Sequence, residues 1–228
     1  MKRRQKVHRV LDMAMIIMLP LLMAYSLIGE AAHEYLGIMM ALLFVIHHWV
    51  NATWWKNLFR SQYSAVRILG IIVNLLLAVI MVALPVSGMM MSRHICSFLN
   101  LNAYAFYART IHLLAAYWGF VLMSFHAGLH GKMFLNVARK AFHISAASKY
   151  RTLVLRIAAG GISAYGVYAF IHRQLADYMF LKIRFVFLDF SEPLIFFIVD
   201  YISIMLLFAF IGYYLLQLLQ QGKKGIHS

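Results

Sequence analysis

The chain has 228 residues, of which 64% are hydrophobic and 12% charged, and its formal net charge at neutral pH is +14. The apolar residues come in runs long enough to cross a bilayer, so an ordinary soluble domain is excluded and an integral membrane protein expected. A single cysteine, Cys96, excludes a disulfide framework, a CxxCH haem attachment and any iron–sulfur cluster built by this chain alone, and neither a phosphate-cradling glycine loop nor a dinucleotide fingerprint is present.

Six transmembrane helices are predicted, over residues 11–29, 31–50, 66–91, 108–130, 153–171 and 194–217. The first follows MKRRQKVHR, a layout shared with signal peptides, and AYS at 24–26 suggests a cleavage site. An uncleaved helix is expected instead. Cleavage would bring a new amino terminus within ten residues of His33 and strip cover from the next helix. Pro20 lies mid-span, which a membrane helix tolerates when its neighbours satisfy the freed carbonyl.

A tight turn at Gly29 and Glu30 makes spans one and two an antiparallel hairpin. Span two, with HEYLGIMMALLFVIHHWV, carries His33 near its outer end and His47 near its inner end. The following NATWWKNLFRSQYSAVR interleaves Trp54, Trp55 and Tyr63 with Lys56, Arg60 and Arg67, as a cytoplasmic interfacial anchor would. Span three returns outward and ends near SGMMMSRH, where Pro85 and Gly88 can bend the helix or let another group approach its backbone. Its methionines read as core filling. Span four, within RTIHLLAAYWGFVLMSFHAGLH, runs inward again with His112 outer and His126 inner.

The loop GKMFLNVARKAFHISAASKYRTLVLR is expected to include a helix lying along the cytoplasmic surface, against anionic membrane lipid. Span five holds Gly160, Gly161 and Gly166, small residues suited to close helix packing. The outer segment 175–193 reads as amphipathic or strand-like, and span six is a plain apolar helix.

Charge distribution sets the direction of these spans. Sixteen of the 21 basic residues fall in the tails and the even-numbered loops, whereas Arg93, Arg109, Arg173, Lys182 and Arg184 fall on the opposite side with most carboxylates, including Glu30, Glu34, Asp177, Asp189 and Glu192. Both termini are therefore expected to be cytoplasmic, and the positive charge reflects topology, not nucleic-acid binding.

His33 and His47 are fourteen residues apart, and so are His112 and His126. Fourteen steps of about 100° fall only about 40° short of four turns, so each pair shares a helix face with about 21 Å between its members. Because spans two and four run the same way, His33 can meet His112 at one depth and His47 can meet His126 at another. Matched imidazole pairs at two depths suit two haems, each held between two histidines. Neutral imidazole ligates iron without adding charge to a low-dielectric site, and polar groups inside a bilayer are costly and usually functional.

Alternatives remain at the inner site. His48 points about 60° beyond the face of His33, and His130, one turn past His126, can replace it or hydrogen-bond a propionate or quinone. His8, His143, His172 and His227 read as loop residues. Arg93, His94 and Arg109 are candidate propionate partners outside, and Lys56, Arg60, Arg67 and Lys132 inside, against the plainer reading of interfacial charges. Glu30 and Glu34 flank the outer ligand as candidate proton acceptors for a quinol site, or as helix N-terminal carboxylates satisfying the dipole.

HEYLG at 33–37, LFVIHH at 43–48 with its Trp-rich sequel, SGMMMSR at 87–93 and RTIHLLAAYWGFVLMSFHAGLH at 109–130 together resemble the flavinylation-associated membrane cytochromes, relatives of the di-haem cytochrome b subunits of formate dehydrogenases and hydrogenases. The resemblance covers residues 11–131 and implies a four-helix core there binding two b-type haems, with His33, His47, His112 and His126 as axial ligands. Residues 132–228 would add the basic loop and two further membrane helices in an all-α bundle. It implies electron exchange between quinone and an extracytoplasmic redox partner, often a covalently flavinylated FMN-binding protein, in a bacterial-type cytoplasmic (inner) membrane. The competing classes are a haem-free transporter or proton channel using the buried histidines as a relay and a cofactor-free anchor subunit. The chain shows no internal repeat or paired interrupted helices of the kind that mark transporter sites. A single non-haem ion cannot be shared by histidines about 21 Å apart.

Overall fold

The computed structural model describes residues 2–58, 63–99, 101, 104–144, 148–186 and 191–224. Arg60 and Asp189 lie outside this set, as do the side chains of Lys223 and Lys224. Helices are the only regular elements among the described residues: α1 Lys2–Met23, α2 Tyr25–Ile28, α3 Glu30–Val50, α4 Ala52–Lys56, α5 Ala65–Met91, α6 Ala105–Leu129, α7 Gly131–Ala141, α8 Lys149–His172, α9 Leu175–Met179 and α10 Leu194–Lys224, with a 3-10 turn at Ser97–Leu99.

Five of these helices are long and apolar enough to cross a membrane: Glu30–Val50, Ala65–Met91, Ala105–Leu129, Lys149–His172 and Leu194–Gln221. The protein is an all-α membrane protein. The expected first span is not among the five. Its helix α1 begins in a basic turn, carries Asp12, and stops at Met23, after which α2 forms separately. The segment around 175–193, read as amphipathic or strand-like, contains the short helix α9 and then turns over 180–186, while 187–190 lie outside the described residues.

The residues form two compact units: Met1–Gln62, Leu76–Gly119 and Ala176–Val199 in the first, and Tyr63–Leu75, Phe120–Leu175 and Asp200–Ser228 in the second. The division falls inside α5, α6, α9 and α10.

In the first unit, α1 packs against α3 through a hairpin turned at Gly29. Gly29 has φ 85°, a left-handed backbone that a side chain would strain. Its N–H bonds the Tyr25 carbonyl at 3.0 Å, and its own carbonyl accepts the His33 N–H at 3.1 Å, so the turn fixes where α3 begins. Met18, Leu19, Met40, Leu77, Met81, Ala108 and Ala115 are buried here. Helix α5 passes through Pro85 without ending. The end of α9 is tied to α6: Trp118 Nε1 donates to the Met179 carbonyl at 2.9 Å, and the Tyr117 and Tyr178 rings stack 4.7 Å apart.

The second unit is joined by backbone approaches that only glycine permits. A Cβ on Gly128 would strike the Ala209 carbonyl, one on Gly212 the Phe125 carbonyl, and one on Gly166 the Ser203 carbonyl. Close approach at small residues is a principal way for apolar helices to associate in lipid, where burial alone does not favour contact. Of the three glycines expected to serve packing in span five, only Gly166 has this role; Gly160 and Gly161 face open space. Ser148 caps α8 by accepting the Arg151 N–H at 3.3 Å.

Candidate functional site

The outer histidine pair is brought together in the first unit. His33 on α3 and His112 on α6 have ring centroids 6.1 Å apart with planes at 69°. Metal–imidazole bonds of about 2 Å, with about 1 Å more from nitrogen to centroid, put two rings on opposite sides of one metal about 6 Å apart. The separation therefore fits one metal between the two imidazoles.

The hydrogen bonds of His112 leave a particular nitrogen available. Its Nδ1 lies 3.2 Å from the Leu84 carbonyl and 3.1 Å from Ser87 Oγ. The Ser87 hydroxyl donates to the Ala83 carbonyl at 2.6 Å, so toward His112 it acts as an acceptor. Both neighbours select the tautomer with the proton on Nδ1 and a lone pair on Nε2, the form that binds iron. The group that approaches α5 at Gly88 is this same ring, although a methyl there would meet its Cε1 at an ordinary 3.5 Å.

His33 is set between Tyr25, whose ring meets it edge-on at 5.2 Å, and the Leu22 backbone. Its Nδ1 is buried and makes no hydrogen bond. The polar contact that the chain gives this ring is with the Leu22 backbone.

The charged residues at this end have distinct roles. Arg93 and Arg109 are exposed, and both lie within electrostatic range of Tyr25. Arg93 Nε also stands 3.6 Å from Glu30 Oε1. Glu34 is occupied: its carboxylate accepts from Ser92 Oγ at 2.7 Å, Arg93 N at 2.8 Å and Ile95 N at 3.0 Å, fastening α3 to the turn that follows α5. Glu30, Glu34 and His94 have ligand atoms within 4.8 Å of one another, but those backbone bonds already use the Glu34 oxygens. Glu30 is the first residue of α3, where a carboxylate offsets the helix dipole.

The inner candidates are divided between the units, with His47 and His48 in the first and His126 and His130 in the second. His47 Nδ1 lies 3.0 Å from Asp12 Oδ1. Asn51 donates to the His47 carbonyl at 2.8 Å, and its amide nitrogen is 3.5 Å from His47 Nε2. His48 instead donates from Nδ1 to the Phe44 carbonyl at 3.1 Å and sits among the rings of Phe44 and Trp55, at 4.1 and 5.7 Å. His126 and His130 have ring centroids 4.8 Å apart. Of the inner cations, Lys56 is exposed, Arg67 lies over the Tyr63 ring at 5.9 Å, and Lys132 donates to Gln220 at 2.7 Å.

Sequence reasoning passed over Asp12 and Ser87. Asp12 carried a usable signal, a lone carboxylate in an apolar run. Ser87 carried none, since its role depends on a contact with another helix. Asp200 was also missed. In the second unit its Oδ1 accepts from the Tyr165 hydroxyl at 2.5 Å, and its Oδ2 accepts from Arg173 Nε and Nη2, each at 2.8 Å. No protein-family model, curated protein or solved structure matches the chain.

Proposed function

We propose that this protein is a di-haem b-type membrane cytochrome that moves electrons across the bilayer between a quinone and an extracytoplasmic redox partner. The observation that carries the reading is the His33–His112 pair, 6.1 Å between rings, with the Nδ1 of His112 committed to Leu84 and Ser87. Bound haem would supply reversible one-electron chemistry.

The remaining contributions belong to the chain. His33 and His112 would hold the outer group, and the fourteen-residue spacing assigns His47 and His126 to the second, with His48 beside His47 on α3 and His130 in the turn after α6. Leu84 and Ser87 orient His112. Arg93 and Arg109 offer exposed cations to propionates at the outer rim. The apolar helices keep water from the iron sites and thereby set their dielectric.

In this reading, the first apolar segment adds a sixth crossing to the five long apolar helices and both termini are cytoplasmic, as the charge bias favours. The motif resemblance supports quinone as one electron partner and a flavinylated FMN-binding protein as the other.

Proteoliposomes with trapped ferricyanide test the function directly. Quinol added outside should reduce the trapped ferricyanide faster than in vesicles without protein. Equal rates, from protein shown to be inserted, would rule out transmembrane electron transfer.

A further inference from the structure

His47 meets a carboxylate that the proposed electron path does not use. Asp12 on α1 places Oδ1 3.0 Å from His47 Nδ1, and 21% of the Asp12 side chain and 27% of the His47 side chain are exposed. The pair is thus largely enclosed, unlike the freely solvated surface pairs that contribute little. The approach is an ion-pair contact without the alignment of a linear hydrogen bond. Asn51 makes its short bond to the His47 carbonyl, and its amide reaches the ring only at Nε2, at the longer distance of 3.5 Å.

The placement follows from the hairpin. Gly29 reverses the chain between α1 and α3, and a carboxylate midway along α1, 17 residues before Gly29, then comes beside a histidine near the end of α3, 18 residues after it. A lone carboxylate on an apolar helix is costly unless paired. The corresponding contact at the outer site is neutral: His112 Nδ1 faces a backbone carbonyl and a hydroxyl.

We propose that Asp12 is the positioning residue of the inner haem ligand, its carboxylate held 3.0 Å from the Nδ1 edge of His47 so that Nε2 is the nitrogen turned to iron. This rests on the cytochrome reading above. A carboxylate behind a ligating imidazole fixes its tautomer and increases its basicity, which favours the oxidised metal. The two haems are therefore tuned differently, one through an anionic contact and the other through neutral ones.

Redox titration of the purified protein, followed by optical and EPR spectroscopy, tests this. Asp12→Asn should keep two haems, raise the midpoint potential of one, shift that haem's low-spin signal and leave the other unchanged. Asp12→Glu should bring the shifted potential back toward the original. Asp177→Asn, which removes a carboxylate paired with Lys182 at 3.4 Å, should change neither haem. If Asp12→Asn does not accumulate, Asp12→Ser makes the same test with a smaller neutral side chain. Unchanged potentials and signals in the neutral variant would overturn the proposal, as would equal shifts at both haems. Absence of haem from the unaltered protein would instead overturn the cytochrome reading itself, before any variant is compared.

Discussion

Two polar clusters among the apolar helices, Asp200 in the second unit and the His33–His112 pair in the first, are held in different ways. In the second, both Asp200 oxygens are engaged, one by Tyr165 and the other twice by Arg173. In the first, His33 keeps a buried Nδ1 without a hydrogen bond, and His112 spends one nitrogen on Leu84 and Ser87 while its ring stands 6.1 Å from that of His33. A polar cluster complete within the chain fastens helices. The His33–His112 cluster is looser, and its rings stand 6.1 Å apart, the separation that the proposed haem needs.

The largest effect that would sharpen this contrast is at the outer pair. His112→Ala should reduce the haem content from two per chain to one, read from the pyridine haemochromogen of folded protein, because of the two clusters only the His33–His112 pair is assigned a haem. Two haems with unchanged spectra would break the contrast.

The opposite substitution belongs to the closed cluster. Asp200→Ala leaves Arg173 without its carboxylate and should cost about 3 kcal/mol, seen as a lower thermal midpoint in detergent, while the haem count per folded chain stays at two. Haem loss from the folded variant would show that the clusters are not separate in function.

Smaller effects come from residues that orient or brace. Ser87→Ala removes one acceptor from His112 Nδ1 and should weaken outer haem retention about 10-fold, measured as transfer to a haem-scavenging protein. Glu34→Gln weakens the fastening of the 92–95 turn by about 1 kcal/mol and should leave the haem spectrum unchanged. A changed spectrum would bring Glu34 into the site itself.

Much of this was legible in the sequence because helical periodicity is regular. The fourteen-residue interval between His33 and His47, repeated between His112 and His126, needs only a helix to be meaningful, and His33 and His112 do come together. Contacts that depend on the rotation of one helix against another were not legible. Ser87 reads as an ordinary small residue, and Glu34 as a helix-start carboxylate until the turn after α5 is seen to lean on it. Gly160 and Gly161 look like a packing site, yet the glycine that meets a neighbour is Gly166, since composition does not fix which face of α8 is covered. The first apolar segment is interrupted after Met23, where the local backbone overrides a long hydrophobic run.

The most direct test of the central claim is an oxidised and dithionite-reduced absorption spectrum of the detergent-purified protein, with extracted haem counted per chain. Two low-spin b-type haems are predicted, reducible without denaturation. No haem after expression with adequate haem supply would contradict the account, and the outer histidine pair would then need another ligand.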